Sequence, residues 1–281
     1  MDRTVVVGVE GTESSFDALD WAAGEADARR DVLEIVHAVG VPYAALDMMY
    51  DDARTDRVEA LLQSATSRAQ QSAPGLDVRT VLSPTTPAMA LTAASQHAAL
   101  VVVGSRPLGV LERAFAGSLS YQVVAGAHCP VLLVPQGTGE RGLGVFVGVD
   151  GSDDSTAAVE IAAREADRLG QELTVVHSWQ SPVSFVSVDV VSGSYDPILE
   201  EKEDLLLAES LAGLGEQYPD LTVRRLLIHR QPAQALLDAA RGARLLVVGS
   251  RGRGGVARML LGSVSHTVVV HAHCPVLVVR Q

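Results

Sequence analysis

With 281 residues, 47% of them hydrophobic and only 4% aromatic, the chain is long enough for one large or two medium domains with cores of Val, Leu and Ala. Its formal net charge of −12 argues against nucleic acid or an anionic membrane as the main partner, since both demand a basic face; Arg251 and Arg253 leave room only for a local patch. Lys202 is the sole lysine and sits in the acidic run EEKED, so a P-loop of the GxxxxGK[ST] type is excluded and Schiff-base chemistry disfavoured.

The N-terminus, MDRTVVVGVE, lacks the basic start and long apolar core of a secretory leader. The charge-free stretch 83–105 carries Pro84, Pro87, Gln96 and His97 and reads as a helix and a strand, not a membrane span. Cys129 and Cys274 stand in matching HCP tripeptides without a CxxC motif, which suits buried packing in a reducing cytoplasm.

The chain repeats itself. VVVGVEGTESSFDALDWAAGEA at 5–26 matches VFVGVDGSDDSTAAVEIAAREA at 145–166, and HCPVLLV at 128–134 matches HCPVLVV at 273–279. We therefore expect a domain over 1–135, a polar, glycine-rich linker over 136–143 and a second domain over 144–281. In the second copy, Val145–Val149 is a continuous apolar run, as in a strand buried on both faces. A helix with an Asp/Ser-rich start follows over 153–169, then a strand over 173–177 and a loop over 178–195. A helix over 197–217, a strand over 221–228, a short helix over 233–240 and a strand over 245–249 come next. The glycine stretch GSRGRGGVARMLLGS, 249–263, leads to a helix over 263–272 and a last strand over 276–279. Five strands with helical crossovers make each copy an α/β, doubly wound, five-stranded parallel sheet of Rossmann-like type. Ligands bind such sheets beyond the carboxyl ends of the strands, where the strand order reverses. If the first and fourth strands are neighbours, the loop at 150–152 and the glycine stretch flank one crevice.

The glycines need a reason, because each costs backbone entropy. Gly249 would let a ligand approach the strand end. Gly252 would allow a positive φ or bring an amide close to an anion. Gly262 and Ser263 open a helix whose first N–H groups favour phosphate, with the hydroxyls of Ser263 and Ser265 as added donors. This is an anion cradle; the alternative is a glycine-rich surface loop before a Ser-capped helix. GRGGVA at 252–257 also matches GxGxxA, but it follows the fourth strand and no acidic residue comes after it, which argues against a dinucleotide site.

Gly249-xx-Gly252-x9-Gly262-Ser263, with VGVDGS at 147–152, LLGSVS at 260–265 and HCPVLVV at 273–279, resembles the ATP-binding universal stress proteins in their tandem, actinobacterial form. The resemblance covers both halves. It implies an adenine nucleotide alpha hydrolase-like fold of strand order 3-2-1-4-5, with two units pairing through their last strands inside one chain. It implies that Asp150 holds the adenosine part, that Ser178 borders the adenine, and that Gly249, Gly252, Gly262, Ser263 and Ser265 meet ribose and phosphates. ATP with Mg is the implied cofactor. Arg251 and Arg253 either add charge there or stand solvated.

The first copy departs from the pattern twice. Glu10 replaces Asp150, and Pro107, with no N–H and a fixed φ, replaces Gly252. Gly104, Gly117, Ser118 and Ser120 remain, so a weaker or lost first site is expected. His271, His273 and Cys274 read as packing before a strand, not zinc ligands. His37 and His177 read as hydrogen-bonded structural histidines. Neither a catalytic triad nor a general base is evident. The leading function is an ATP-binding stress-response regulator, acting through a protein partner that the sequence does not name and open to further homodimerisation. The alternatives are a slow ATP hydrolase or adenylyl-transfer enzyme, and a cyclic-AMP-binding relative.

Overall fold

The computed structural model describes residues 3–40, 52–105, 119–138, 142–180, 197–253 and 261–280. The first half runs β1 (Thr4–Gly8), α1 (Glu13–Arg29), β2 (Val32–Ala38), α2 (Asp52–Ser72), β3 (Val78–Ser83), α3 (Pro87–Ala94), β4 (Leu100–Ser105), α4 (Leu119–Gly126) and β5 (Val131–Pro135). The second runs β6 (Val145–Val149), α5 (Asp153–Leu169), β7 (Leu173–Trp179), α6 (Pro197–Glu209), α7 (Leu214–Gln217), β8 (Val223–His229), α8 (Pro232–Ala239), β9 (Leu245–Gly249), α9 (Ser263–His271) and β10 (Val276–Val279). The expected loop at 178–195 lies mostly outside the described residues.

The strands form one ten-stranded sheet of order β3-β2-β1-β4-β5-β10-β9-β6-β7-β8. Each half has the order 3-2-1-4-5, and every pairing within a half is parallel. The halves join where β5 and β10 run antiparallel, with Leu132 opposite Leu277. The all-apolar runs of β1, β4, β9 and β10 follow from this placement, since helices cover both faces of the sheet. One core layer packs α1 and α5 on one face, around Leu19, Ala22, Ala162 and Val247. The other packs α3, α4, α8 and α9 on the opposite face, around Leu91, Val123, Leu236 and Val268. Both layers run through the junction between the halves.

Ser152 caps α5 through its side chain, as the Asp/Ser-rich start predicts, and Thr12 caps α1 in the same way. The helix expected over 197–217 is broken. α6 stops at Glu209, and α7 starts after Gly213, whose φ of 80° no helix continues through. The equivalent α2 runs unbroken for 21 residues.

Where α1 and α5 cross, four charges close on one another. Arg29 reaches Glu25 at 2.8 Å and Glu165 at 2.7 Å; Arg168 reaches Glu165 at 2.6 Å and Glu25 at 2.5 Å. Both carboxylates are buried. Burial opposes the charge on Arg168, but Glu25 and Glu165 outweigh it and raise its pKa. Nearby, the Arg244 guanidinium of the second half lies 3.9 Å from the ring centre of Trp21 in the first. Among the described residues, no helix is long and apolar enough to cross a membrane.

Candidate functional site

Because β6 and β9 are neighbours, the loops that follow them face each other across the strand ends. The cavity between them, about 470 Å³, is lined by Asp150, Ser178, Gly249, Gly252, Gly262, Ser263 and Ser265. Every residue that the sequence marks in the second half thus faces one space. Arg251 and Arg253 line the same cavity.

Two carboxylates organise the glycine loop. Asp150, just past β6, accepts hydrogen bonds from the Ser152 hydroxyl at 2.6 Å and the Ser152 N–H at 3.0 Å. Its other oxygen accepts from the Arg253 N–H at 3.0 Å. Burial works to raise the Asp150 pKa, and these hydrogen bonds outweigh it, holding the group below the ordinary carboxylate value. Asp154, buried on the first turn of α5, accepts from the Ser250 hydroxyl at 2.8 Å and the Arg251 N–H at 3.0 Å. The Arg251 guanidinium lies 3.5 Å from the same oxygen, so its charge is partly spent on the protein itself. The ends of the loop are tied by the Gly262 N–H, which donates to Ser250 O at 2.8 Å.

This geometry corrects three readings. Gly252 does not use a positive φ. A Cβ there would collide with the Asp150 carboxylate, so the residue is small because an acid crosses to the loop. Gly249 is small because β9 packs on α5, where a Cβ would stand 2.9 Å from the Asp154 carbonyl carbon. Ser265 is buried and donates its hydroxyl to Gly249 O at 2.6 Å, so it secures α9 to β9 and has no proton to spare for an anion. Ser178 likewise donates to Arg230 O at 2.6 Å.

The exposed Ser263 hydroxyl and the first-turn N–H groups of α9 are the donors at the open side. Gly262 caps α9 without a side chain, unlike Thr12, Thr86 and Ser152 at α1, α3 and α5. An anion there meets N–H groups that no cap has taken and the positive end of the helix.

Both ring nitrogens of His177 have a hydrogen-bonding partner. Nδ1 lies 2.7 Å from Val149 O, and Nε2 lies 2.7 Å from the Glu203 carboxylate on α6. It is a structural histidine, as expected, and offers no nitrogen as a general base. Asp154 and Glu203 are the site residues that sequence reasoning missed. The Asp-rich start of α5 was a visible signal for the first. The acidic run 200–204 concealed the second.

The first half has a cavity of about 360 Å³ in the equivalent place, lined by Glu10, His37, Gly104 and Ser120. Gly104 packs on Ser14 as Gly249 packs on Asp154. Gly117, Ser118 and Pro107 lie outside the described residues. Glu10 is exposed and accepts from the Thr12 hydroxyl at 3.0 Å. Val269, Val270 and Ala272, at the end of α9 and just past it, line this cavity from the other half. Both cysteines are buried free thiols, and burial pushes each pKa up to about 11.

The universal stress protein family model matches residues 1–135 and again 145–280. A universal stress protein of Mycobacterium tuberculosis is 37% identical, over 99% of this chain and 97% of its own length. One from Mycolicibacterium smegmatis is 38% identical, over 98% and 96%. The crystal structure of a universal stress protein from Archaeoglobus fulgidus covers 99% of this chain and 98% of its own, with a TM-score of 0.74 at 20% identity, and so shares the fold. The chain belongs to the universal stress protein family.

Proposed function

We propose that this universal stress protein binds one adenine nucleotide, ATP in the first instance, in the cavity of its second half. Binding there regulates a stress response; the protein does not turn substrate over at an enzyme's rate. One observation carries the reading. Asp150, Ser178, Gly249, Gly252, Gly262 and Ser263 converge on a single cavity beside an uncapped helix N-terminus. The division into domains at 1–135 and 144–281, joined by 136–143, belongs to the same proposal.

Glu203 stands with His177 and Ser178 on the β7 side, the uncapped α9 N-terminus stands across the cavity, and Asp150 lies past β6 between β7 and β9, where it also holds the Arg253 N–H. A nucleotide lies with its base and sugar toward the acids and its phosphates toward the loop. Among the described residues, no group of three or more His, Cys, Asp or Glu side chains assembles a metal centre. Mg would come in with the phosphates, since this ion keeps several waters and takes phosphate oxygens as ligands. With both of its nitrogens engaged, His177 is not a free base, and we expect turnover below about one per second. The buried, unpaired thiols suit the cytoplasm.

The test is calorimetry of the full chain with MgATP, together with mass spectrometry of any nucleotide that co-purifies. One site per chain, lost in Gly252→Pro, is the expected result. No binding at millimolar ATP, or two equal sites, overturns the reading.

A further inference from the structure

Glu203 stands on α6 and lines the second cavity beside His177, Ser178 and Trp179. Its Oε2 lies 2.7 Å from Nε2 of His177, whose Nδ1 lies 2.7 Å from Val149 O. The carbonyl only accepts, and so does an ionised carboxylate, so the ring between them is fully used. His177 is buried, and Val149 is the residue before Asp150. The chain Val149–His177–Glu203 therefore holds the carboxylate at a fixed place next to the end of β6. Among the described residues, no hydrogen bond reaches the other oxygen, Oε1. The first half keeps only part of this device. His37 bonds Val9 O at 2.7 Å, and among the described residues no carboxylate meets its other nitrogen.

A carboxylate facing a cavity for a polyanion is unfavourable unless it meets a donor. Glu203 stands with His177 and Ser178 on the β7 side of the cavity, with β6 between that side and β9, and the nucleotide reading puts the base beside Ser178. We propose that Glu203 reads the base: Oε1 accepts a hydrogen bond from an exocyclic amino group, the 6-amino group of adenine, while Oε2 stays on His177. This rests on the nucleotide reading above and names the residue that sets its base preference. The hydrogen bond is charge-assisted, hence stronger than a neutral one, and its loss leaves a carboxylate oxygen in the filled pocket without a donor.

The test compares ATP with purine riboside 5′-triphosphate, which lacks only the amino group, by calorimetry on the full chain. The wild type should bind ATP at least about tenfold more tightly, as expected for loss of a charge-assisted hydrogen bond. In Glu203→Leu the ratio should fall to about one, because neither ligand then has an acceptor to meet. Glu203→Gln keeps the shape but not the charge, so it should lower the ratio at least about threefold and serves if the leucine variant does not fold. A wild-type ratio near one, or an unchanged ratio in a folded Glu203 variant, overturns the proposal while leaving nucleotide binding standing. Absence of ATP binding in the wild type overturns both.

Discussion

Ser14 and Asp154 occupy equivalent places on the first turns of α1 and α5, as Glu10 and Asp150 do past β1 and β6. Around them the halves agree closely. Both halves of the sheet have the same strand order, both fourth strands carry near their ends a glycine pressed on the crossing helix, and both second strands carry near their ends a histidine bonded to a backbone carbonyl at the end of the first. In the second half two carboxylates reach across to the glycine loop and hold its amides. In the first half, Ser14 brings no charge to that place, and Glu10 bonds back to Thr12. The fold thus rests on apolar runs and on glycines that let helix and strand approach. In the second half the glycine loop is held by two acids and one missing Cβ, and the first half carries Ser14 and Glu10 at the places of those acids on the same fold.

The largest expected effect tests where the halves are most alike. Glu25 and Glu165 each bind both Arg29 and Arg168 out of water, and removal of one partner from such a buried cluster costs about 3–5 kcal/mol. Glu25→Ala and Glu165→Ala should therefore destabilise the chain by similar amounts in urea unfolding. A large difference between them would show that one half dominates the junction.

The next effect tests where they differ. Asp150→Glu with Gly252→Pro gives the second half the first half's residues, and puts a ring where the Asp150 carboxylate now lies. ATP affinity should fall at least about a hundredfold, which corresponds to about 2.7 kcal/mol. The reverse pair, Glu10→Asp with Pro107→Gly, should strengthen any binding in the first half. If neither exchange moves calorimetric affinity, the two departures are not what separates the pockets.

A smaller effect separates two serines that the repeat aligns. Ser265 donates a buried hydrogen bond to Gly249 O, so Ser265→Ala leaves that carbonyl short of a donor and should cost about 1–2 kcal/mol. Among the described residues, Ser120 makes no such bond, and Ser120→Ala should stay within about 0.5 kcal/mol. Equal losses in thermal unfolding would make the two serines equivalent after all.

These serines show where sequence reading stops. The runs Val145–Val149, Leu245–Gly249 and Val276–Val279 were legible because a strand buried on both faces leaves an unbroken apolar signature. The convergence of Asp150 with Gly252 followed from strand order. The reason for Gly252 did not, since a steric demand exists only once the Asp150 carboxylate has a position. The direction of the Ser265 hydroxyl, the grip of Asp154 and the pairing of Glu203 with His177 depend on which acceptor stands within three ångströms, and spacing along the chain does not encode that. The break between α6 and α7 was written in Gly213, but Gly213 and Gly215 both stand among good helix formers, and only the first takes a positive φ.

The finest test of the contrast is the charge on Asp150. Its pKa is lowered in the folded chain because the Ser152 and Arg253 donors outweigh burial. A group of this kind adds stability that is fully present above its unfolded pKa and fades as pH falls through the lower, folded one. The contribution should therefore hold steady near neutral pH and shrink below about 3.8, the ordinary value for this carboxyl. Asp150→Asn cannot ionise but still offers an oxygen to Ser152. The gap between wild type and variant in urea unfolding should be constant from neutral pH down to about 5, then close as the medium becomes more acidic. The gap is modest, because the cavity is open to solvent and screens the charge. A gap that widens on acidification would mean that the folded protein disfavours the carboxylate. The tie between the β6 loop and the glycine loop would then be a matter of shape alone, and Glu10 would differ from Asp150 in length but not in electrostatic role.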